Sequence, residues 1–177
     1  MEKRKGHIYV LNALKQLKDE FKNLQYIIAG DGPELNNLKK EVLKNKLGDN
    51  VIFLGKISDQ EKKYIFSRTD LMVMPTIDES EKGSIEGFGI SYIEAALYGI
   101  PSIASNIGGT PEAVLHNKTG IIINKIEKLE DAIMDLLKNK EKILYLGNQA
   151  KKRAMEEFQW ENKINEYLSL IYNLNKN

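Results

Sequence analysis

The 177-residue sequence has no cysteine. Disulfides, thiolate metal sites and a cysteine nucleophile are thereby excluded, and a reducing compartment is compatible with the composition. Histidine is scarce as well: His7 and His116 are the only two, too few for a multi-histidine metal centre. No apolar stretch approaches the roughly 18–20 residues that cross a bilayer. The charged start, Met1-Glu-Lys-Arg-Lys-Gly-His7, has no apolar run behind it and does not read as a signal peptide. A cytoplasmic protein is expected, with peripheral contact at the cytoplasmic membrane face left open. Charge of one sign is also missing. The 26 basic and 25 acidic residues give a net charge of +1, which supplies no electrostatic case for nucleic acid as the main partner. What is present is an ordinary globular composition, 42% hydrophobic and 29% charged, in a chain able to bury roughly 70% of its unfolded surface.

Ile8, Leu11, Leu14, Leu17 and Phe21 recur at spacings of three and four and predict an amphipathic helix over about 7–20. A buried strand is expected over 24–29. A turn at Gly30-Asp31-Gly32-Pro33 follows, then a helix with Pro33 at its first position, carrying Leu35, Leu38, Val42 and Leu43. Further strands are expected at 51–54, 71–74, 102–104 and 119–123. Ser58 with Glu61 three residues on forms a capping box for a short helix. An apolar helix runs over 90–98, stopped by Gly99 and Pro101. Helices over 127–138, 141–157 and 160–174 complete the chain. Short apolar strands alternating with helices predict one α/β domain with a mostly parallel sheet covered on both faces. In such sheets ligands bind beyond the carboxyl ends of the strands.

The chemically informative stretch is Glu86-Gly-Phe-Gly-Ile-Ser-Tyr-Ile-Glu94. Its helix is apolar almost all round and is expected to be buried, so the carboxylate of Glu94 needs a partner. Helical side chains lean toward the N-terminus, which would send Glu94 back toward the opening at 86–89. Gly87 and Gly89 allow close backbone approach, and the free N–H groups of a helix start favour an anion. Carboxylates accept hydrogen bonds from sugar and ribose hydroxyls. On residue types alone two readings stand: a ligand site, or a Glu94 paired with a structural Lys or Arg beside a simple glycine turn.

Glu86 and Glu94, seven residues apart, followed by Ala95-Ala96 and Gly99-Ile-Pro101, resemble the E-x7-E motif of family 4 (group 1) retaining glycosyltransferases. Lys5-Gly6, Ala29-Gly-Asp-Gly-Pro33, Phe53-Leu-Gly55, Asp70, Pro75-Thr76, Ser105-Asn-Ile-Gly-Gly-Thr-Pro-Glu112, Thr119-Gly120 and Phe158-Gln-Trp160 follow in that family's order. The resemblance implies the GT-B fold, two Rossmann-like domains of which the C-terminal one holds the donor. This chain resembles that C-terminal domain only, taken as one domain over 1–177. It further implies that Glu86 contacts donor-sugar hydroxyls near the reacting carbon, as the catalytic residue, and that Glu94 binds the ribose. Gly87, Phe88, Gly89 and Ile90 would present backbone to sugar and diphosphate. Lys5 would neutralise the diphosphate and Ile57 border the base, with Gly32 and the Gly108-Gly109 turn as further contacts. The donor would be a UDP- or GDP-linked sugar and the acceptor a glycan or a lipid-linked molecule. No metal and no separate cofactor are expected, since no D-x-D motif is present.

Two features depart from the family pattern. The strand ending in Gly-Arg that precedes Lys5-Gly6 in relatives is absent, and Arg4 does not stand at that arginine's position. In the order 3-2-1-4-5-6 this strand is central, so the strands at 24–29 and 71–74 are expected to flank an unfilled place. The chain is accordingly expected to be part of a longer or split enzyme, missing its N-terminal acceptor domain and inactive alone. The polar stretch 77–85 is longer than in the shortest relatives and reads as a solvated loop. The helix over 157–177 is expected to pack across onto the absent domain, its apolar face otherwise favouring self-association. A non-catalytic nucleotide-sugar-binding module and a GT-B-type epimerase are the competing functions.

Overall fold

The computed structural model describes residues 1–159, 164, 167–169 and 171–172. A 3-10 turn, Lys3–Lys5, leads through Gly6 into α1, His7–Leu17. Val10, Leu11, Leu14 and Leu17 on this helix are buried, as their spacing requires. β1 (Tyr26–Ala29), α2 (Leu35–Lys44), β2 (Val51–Gly55), α3 (Asp59–Phe66) and β3 (Met72–Met74) follow. Then come α4 (Ile90–Leu97), β4 (Ser102–Ser105), α5 (Thr110–Ala113), β5 (Gly120–Ile123), α6 (Leu129–Leu137) and α7 (Lys140–Glu157).

The strands form two parallel groups, β1 beside β2 and β3-β4-β5 in that order, with no ladder between β1 and β3. The first four residues connect them. The amino group of Met1 bonds the carbonyl of Asp31, and the Met1 carbonyl accepts from Glu34 N–H; both partners lie just past β1. The Arg4 carbonyl accepts from Ile77 N–H at 2.8 Å, just past β3. Three Cα steps reach at most about 11 Å, and one omitted strand would leave a gap of roughly 9.5 Å. The same short stretch thus ties the turn after β1 to the loop after β3, so the carboxyl ends of the two strands lie on the same side.

One core runs across both groups. Ile28 and Val51 share it with Ile103, Ile121 and Ile123, sealed by α1 and by Leu129, Ile133 and Leu136 of α6. On the other face of the larger group, Met74 and Ala104 pack against Tyr92 of α4 and against Ala113 and Val114. Ala96 then meets Ala150 and Ala154 of α7. Small side chains there let α4 and α7 approach closely.

Four expectations need correction. Pro33 is not the first residue of α2, which starts at Leu35, because the bonds of Met1 to Asp31 and Glu34 hold 31–34 as a turn. Leu43 is 77% exposed; it follows Val42, which takes the inward position. α4 is only half-buried: Tyr92, Ala95 and Ala96 face the core, whereas Ile90 is 71% exposed. α5 was not expected; Val114 N–H donates to the Thr110 carbonyl and closes that single turn, while the Thr110 hydroxyl ties it to the Ser105 and Ile107 carbonyls of the preceding loop. Of the helix expected over 160–174, residues 164, 167–169 and 171–172 are described and helical. Ile164, Tyr167, Leu168 and Tyr172 are exposed, and Trp160 lies outside the described residues.

Candidate functional site

Glu86 lies in the loop after β3 and is 7% exposed. A buried carboxylate needs compensation, and two cations supply it: Arg4 Nη1 and Lys5 Nζ each donate to Oε2 at 2.5 Å. Arg4 also bonds the exposed carboxylate of Glu2 at 2.9 Å. Sequence reasoning selected Lys5 and passed over Arg4. Its only signal there was adjacency to Lys5, which does not reveal a contact 82 residues along the chain.

The backbone after Glu86 lies on the loop leaving β4. The Glu86 carbonyl accepts from Gly109 N–H at 3.2 Å. A Cβ on Gly108, whose φ is 57°, would strike the Glu86 carbonyl, and one on Gly109 would strike that of Gly87. The glycine pair thus permits this approach. Gly89 (φ 85°) starts α4 with the Tyr92 ring directly beneath it. The Tyr92 hydroxyl donates to the Met74 carbonyl at 2.6 Å. Burial, assisted by the Glu86 charge, raises its pKa far above the ordinary phenol value, so it remains a donor. The N–H groups of Ile90 and Ser91 have no acceptor among the described residues, leaving the positive end of α4 open beside Gly87 and Gly89.

Glu94 pairs with a base from another helix. Its Oε1 accepts from Lys62 Nζ of α3 at 2.7 Å, and the side chain is 37% exposed. This bond raises the Lys62 pKa. The capping box fixes the entry to α3: Ser58 accepts from Glu61 N–H while Glu61 takes the Ser58 N–H at 2.7 Å. Half-buried Ile57 immediately precedes this cap. Gly32 abuts the Met1 backbone.

Gly32, Ile57, the 86–89 stretch and Gly108-Gly109 therefore sit on loops leaving β1, β2, β3 and β4, along one edge of the strands. That edge is where open α/β sheets take ligands. The two acids are nevertheless held by separate cations, Glu86 by Arg4 and Lys5 and Glu94 by Lys62. Phe88 stacks on Phe158 at 5.5 Å between centroids and lines an open groove with Leu115 and Arg153. Of the two histidines, His116 is exposed, whereas His7 Nδ1 lies 2.8 Å from the Tyr26 hydroxyl, a partner 19 residues along the chain that residue spacing does not reveal. Among the described residues no helix is long and apolar enough to cross a membrane.

Parallel strands covered by helices in this way match the build of GT-B glycosyltransferase structures. Residues 1–153 match the glycosyl transferases group 1 family, and the chain belongs to it. It is 29% identical over 160 residues to a Mycobacterium tuberculosis GDP-mannose-dependent alpha-(1-6)-phosphatidylinositol monomannoside mannosyltransferase, covering 89% of this chain and 42% of that protein. It is 30% identical over 150 residues to the N-acetyl-alpha-D-glucosaminyl L-malate synthase of Bacillus anthracis, covering 84% and 37% respectively. Among solved structures, sucrose-phosphate synthase from Thermosynechococcus elongatus superposes with a TM-score of 0.83 at 26% identity, over 99% of this chain and 43% of that one. The chain thus spans about two-fifths of the length of these relatives.

Proposed function

We propose that this chain is the donor-binding domain of a retaining glycosyltransferase, which moves a hexosyl group from a UDP- or GDP-linked sugar to a glycan or lipid-linked acceptor. The observation that carries this reading is the pair of cations, Arg4 and Lys5, gathered on one buried carboxylate beside the open start of α4. Breaking the anomeric C–O bond develops negative charge on the departing diphosphate and positive charge on the sugar ring. Lys5, Arg4 and the free N–H groups of Ile90 and Ser91 would stabilise the diphosphate. Glu86 would accept hydrogen bonds from sugar hydroxyls, and its charge would favour the cationic ring. Glu94 would take the ribose hydroxyls, Ile57 would border the base, and the backbone of Gly87, Phe88 and Gly89 would line the sugar, with Gly32 and Gly108-Gly109 shaping the edge. In a front-face reaction that retains anomeric configuration no residue need act as a covalent nucleophile, and no metal is required.

The acceptor would be held by a separate N-terminal domain, so the chain alone would bind donor and transfer nothing. The exposed apolar residues between 164 and 172 would rest on that domain or, without it, on a second copy. A non-catalytic nucleotide-sugar-binding module is the second reading. It is favoured by the engagement of Glu86 with two cations, which leaves it less free for chemistry. The test is a thermal-shift panel of UDP-, GDP- and ADP-sugars on wild type and Glu94→Ala. One nucleotide class is expected to raise the melting temperature with ligand excess, and the variant to lose most of that rise. No shift with any donor would overturn both readings. Sugar transfer by the isolated chain would overturn the claim that it is inactive alone.

A further inference from the structure

Lys62 is a lysine on a short surface helix, yet it does not extend into water. Its ammonium group sits 2.7 Å from Glu94 Oε1 and 3.3 Å from Asp59 Oδ1. The bond to Glu94 joins α3 to α4 across 32 residues of sequence, and no second hydrogen bond to Glu94 occurs among the described residues. Both side chains are about one-third exposed, 35% and 37%. Ion pairs that wet contribute little to stability, so the contact has little value as a brace. Its geometric effect is larger. An exposed glutamate on a helix samples several rotamers, and a charge-assisted bond at one oxygen narrows them and leaves the other oxygen to accept from a ligand. The Ser58–Glu61 capping box holds the base of α3 in turn, so the lysine is itself presented from an anchored turn.

We propose that Lys62 is a positioning residue: it orients the Glu94 carboxylate, with Oε2 free, to receive the vicinal hydroxyls of a nucleotide ribose, and so sets the preference for ribo- over deoxyribonucleotides. The proposal rests on the reading that Glu94 meets the ribose, and it adds the group that makes that meeting selective. A 2′-deoxy nucleotide lacks one of the two donors and gains little from an oriented carboxylate. Removing Lys62 should therefore weaken the ribonucleotide and leave its deoxy analogue nearly unchanged, a split that general loosening of α3 would not produce.

The experiment is equilibrium binding of UDP and dUDP, and of GDP and dGDP, to the full chain as wild type, Glu94→Gln, Lys62→Met and Lys62→Arg. Melting temperatures are recorded alongside to verify folding. Wild type should prefer the ribonucleotide about tenfold, the scale of one hydrogen bond to a charged group. Glu94→Gln should erase that preference. Lys62→Met should cut it to about threefold or less through the ribonucleotide alone, and Lys62→Arg should restore most of it. If Lys62→Met keeps the full preference while Glu94→Gln loses it, the role of Lys62 is overturned and the ribose reading stands. Equal weakening of ribo and deoxy ligands by Lys62→Met would also overturn it. Absence of binding by wild type, or a preference indifferent to Glu94, would overturn the ribose reading and this proposal with it.

Discussion

The contact between His7 and Tyr26 makes stability depend on pH in a calculable way. His7 opens α1 directly after Gly6, half-buried, with Nδ1 at 2.8 Å from the Tyr26 hydroxyl. Burial first, then the positive charges of the chain's amino terminus and of Lys5, lower its pKa to about 4. In the unfolded chain the value returns to near 6.5. Between these values the unfolded state binds the proton and the folded state does not. Stability from this group is therefore complete above pH 6.5 and falls as the pH drops toward 4. Integrated from pH 7 to pH 5, the loss is about 2 kcal/mol. Urea unfolding at the two pH values measures it directly. The reference is the double variant His7→Phe/Tyr26→Phe, which removes the titrating ring without stranding the tyrosine hydroxyl. Carboxylate titrations are common to both proteins, so the difference of differences isolates His7. Wild type should lose about 2 kcal/mol more than the variant over this interval. Equal losses in the two proteins would refute the argument, since a histidine with an ordinary folded-state pKa contributes no such slope.

Two further outcomes follow from packing. Gly109→Val drives a side chain into the Gly87 carbonyl; it should cost roughly 1–3 kcal/mol in urea unfolding and weaken nucleotide binding by displacing 86–88. Ser58→Ala removes one arm of the capping box and should cost about 1 kcal/mol, with hydrogen exchange in the first turn of α3 rising more than in α1.

Local chemistry was legible in the sequence and long-range pairing was not. The capping box of Ser58 and Glu61, the stop at Gly99 and the apolar spacing of α1 each follow from residues within a few positions of one another, and each is realised. The partners of the two acids were not legible. Lys62 and Lys63 are adjacent on α3, and only the way α3 sits against α4 selects the first of them for Glu94. Arg4 does not stand at the family arginine's position, and only the 3-10 turn at Lys3–Lys5 brings it to Glu86. The one-sided exposure of α4 was hidden for a related reason: apolar composition says that a helix can be covered, not which neighbours cover it. α5 has four residues, too few for any periodicity to register.

The separation of the strands into two ladders bears on how the site is held together. The stretch that fastens the two strand groups at their carboxyl ends, Met1 to Arg4, also carries Arg4 to Glu86 and leads directly into Lys5. With no ladder between β1 and β3, the links available are this short tether and the shared core under α1 and α6. Disturbing the tether therefore does two things together: it loosens the docking of β1–β2 against β3–β5, and it strips the cations from a carboxylate that is costly to bury unpaired. Conversely, an anion bound at Arg4 and Lys5 would stiffen the tether from its other end. Ligand binding and the cohesion of the two strand groups are thus coupled through Met1 to Lys5, so a bound donor should protect β1 amides from exchange although β1 contributes none of the charged contacts.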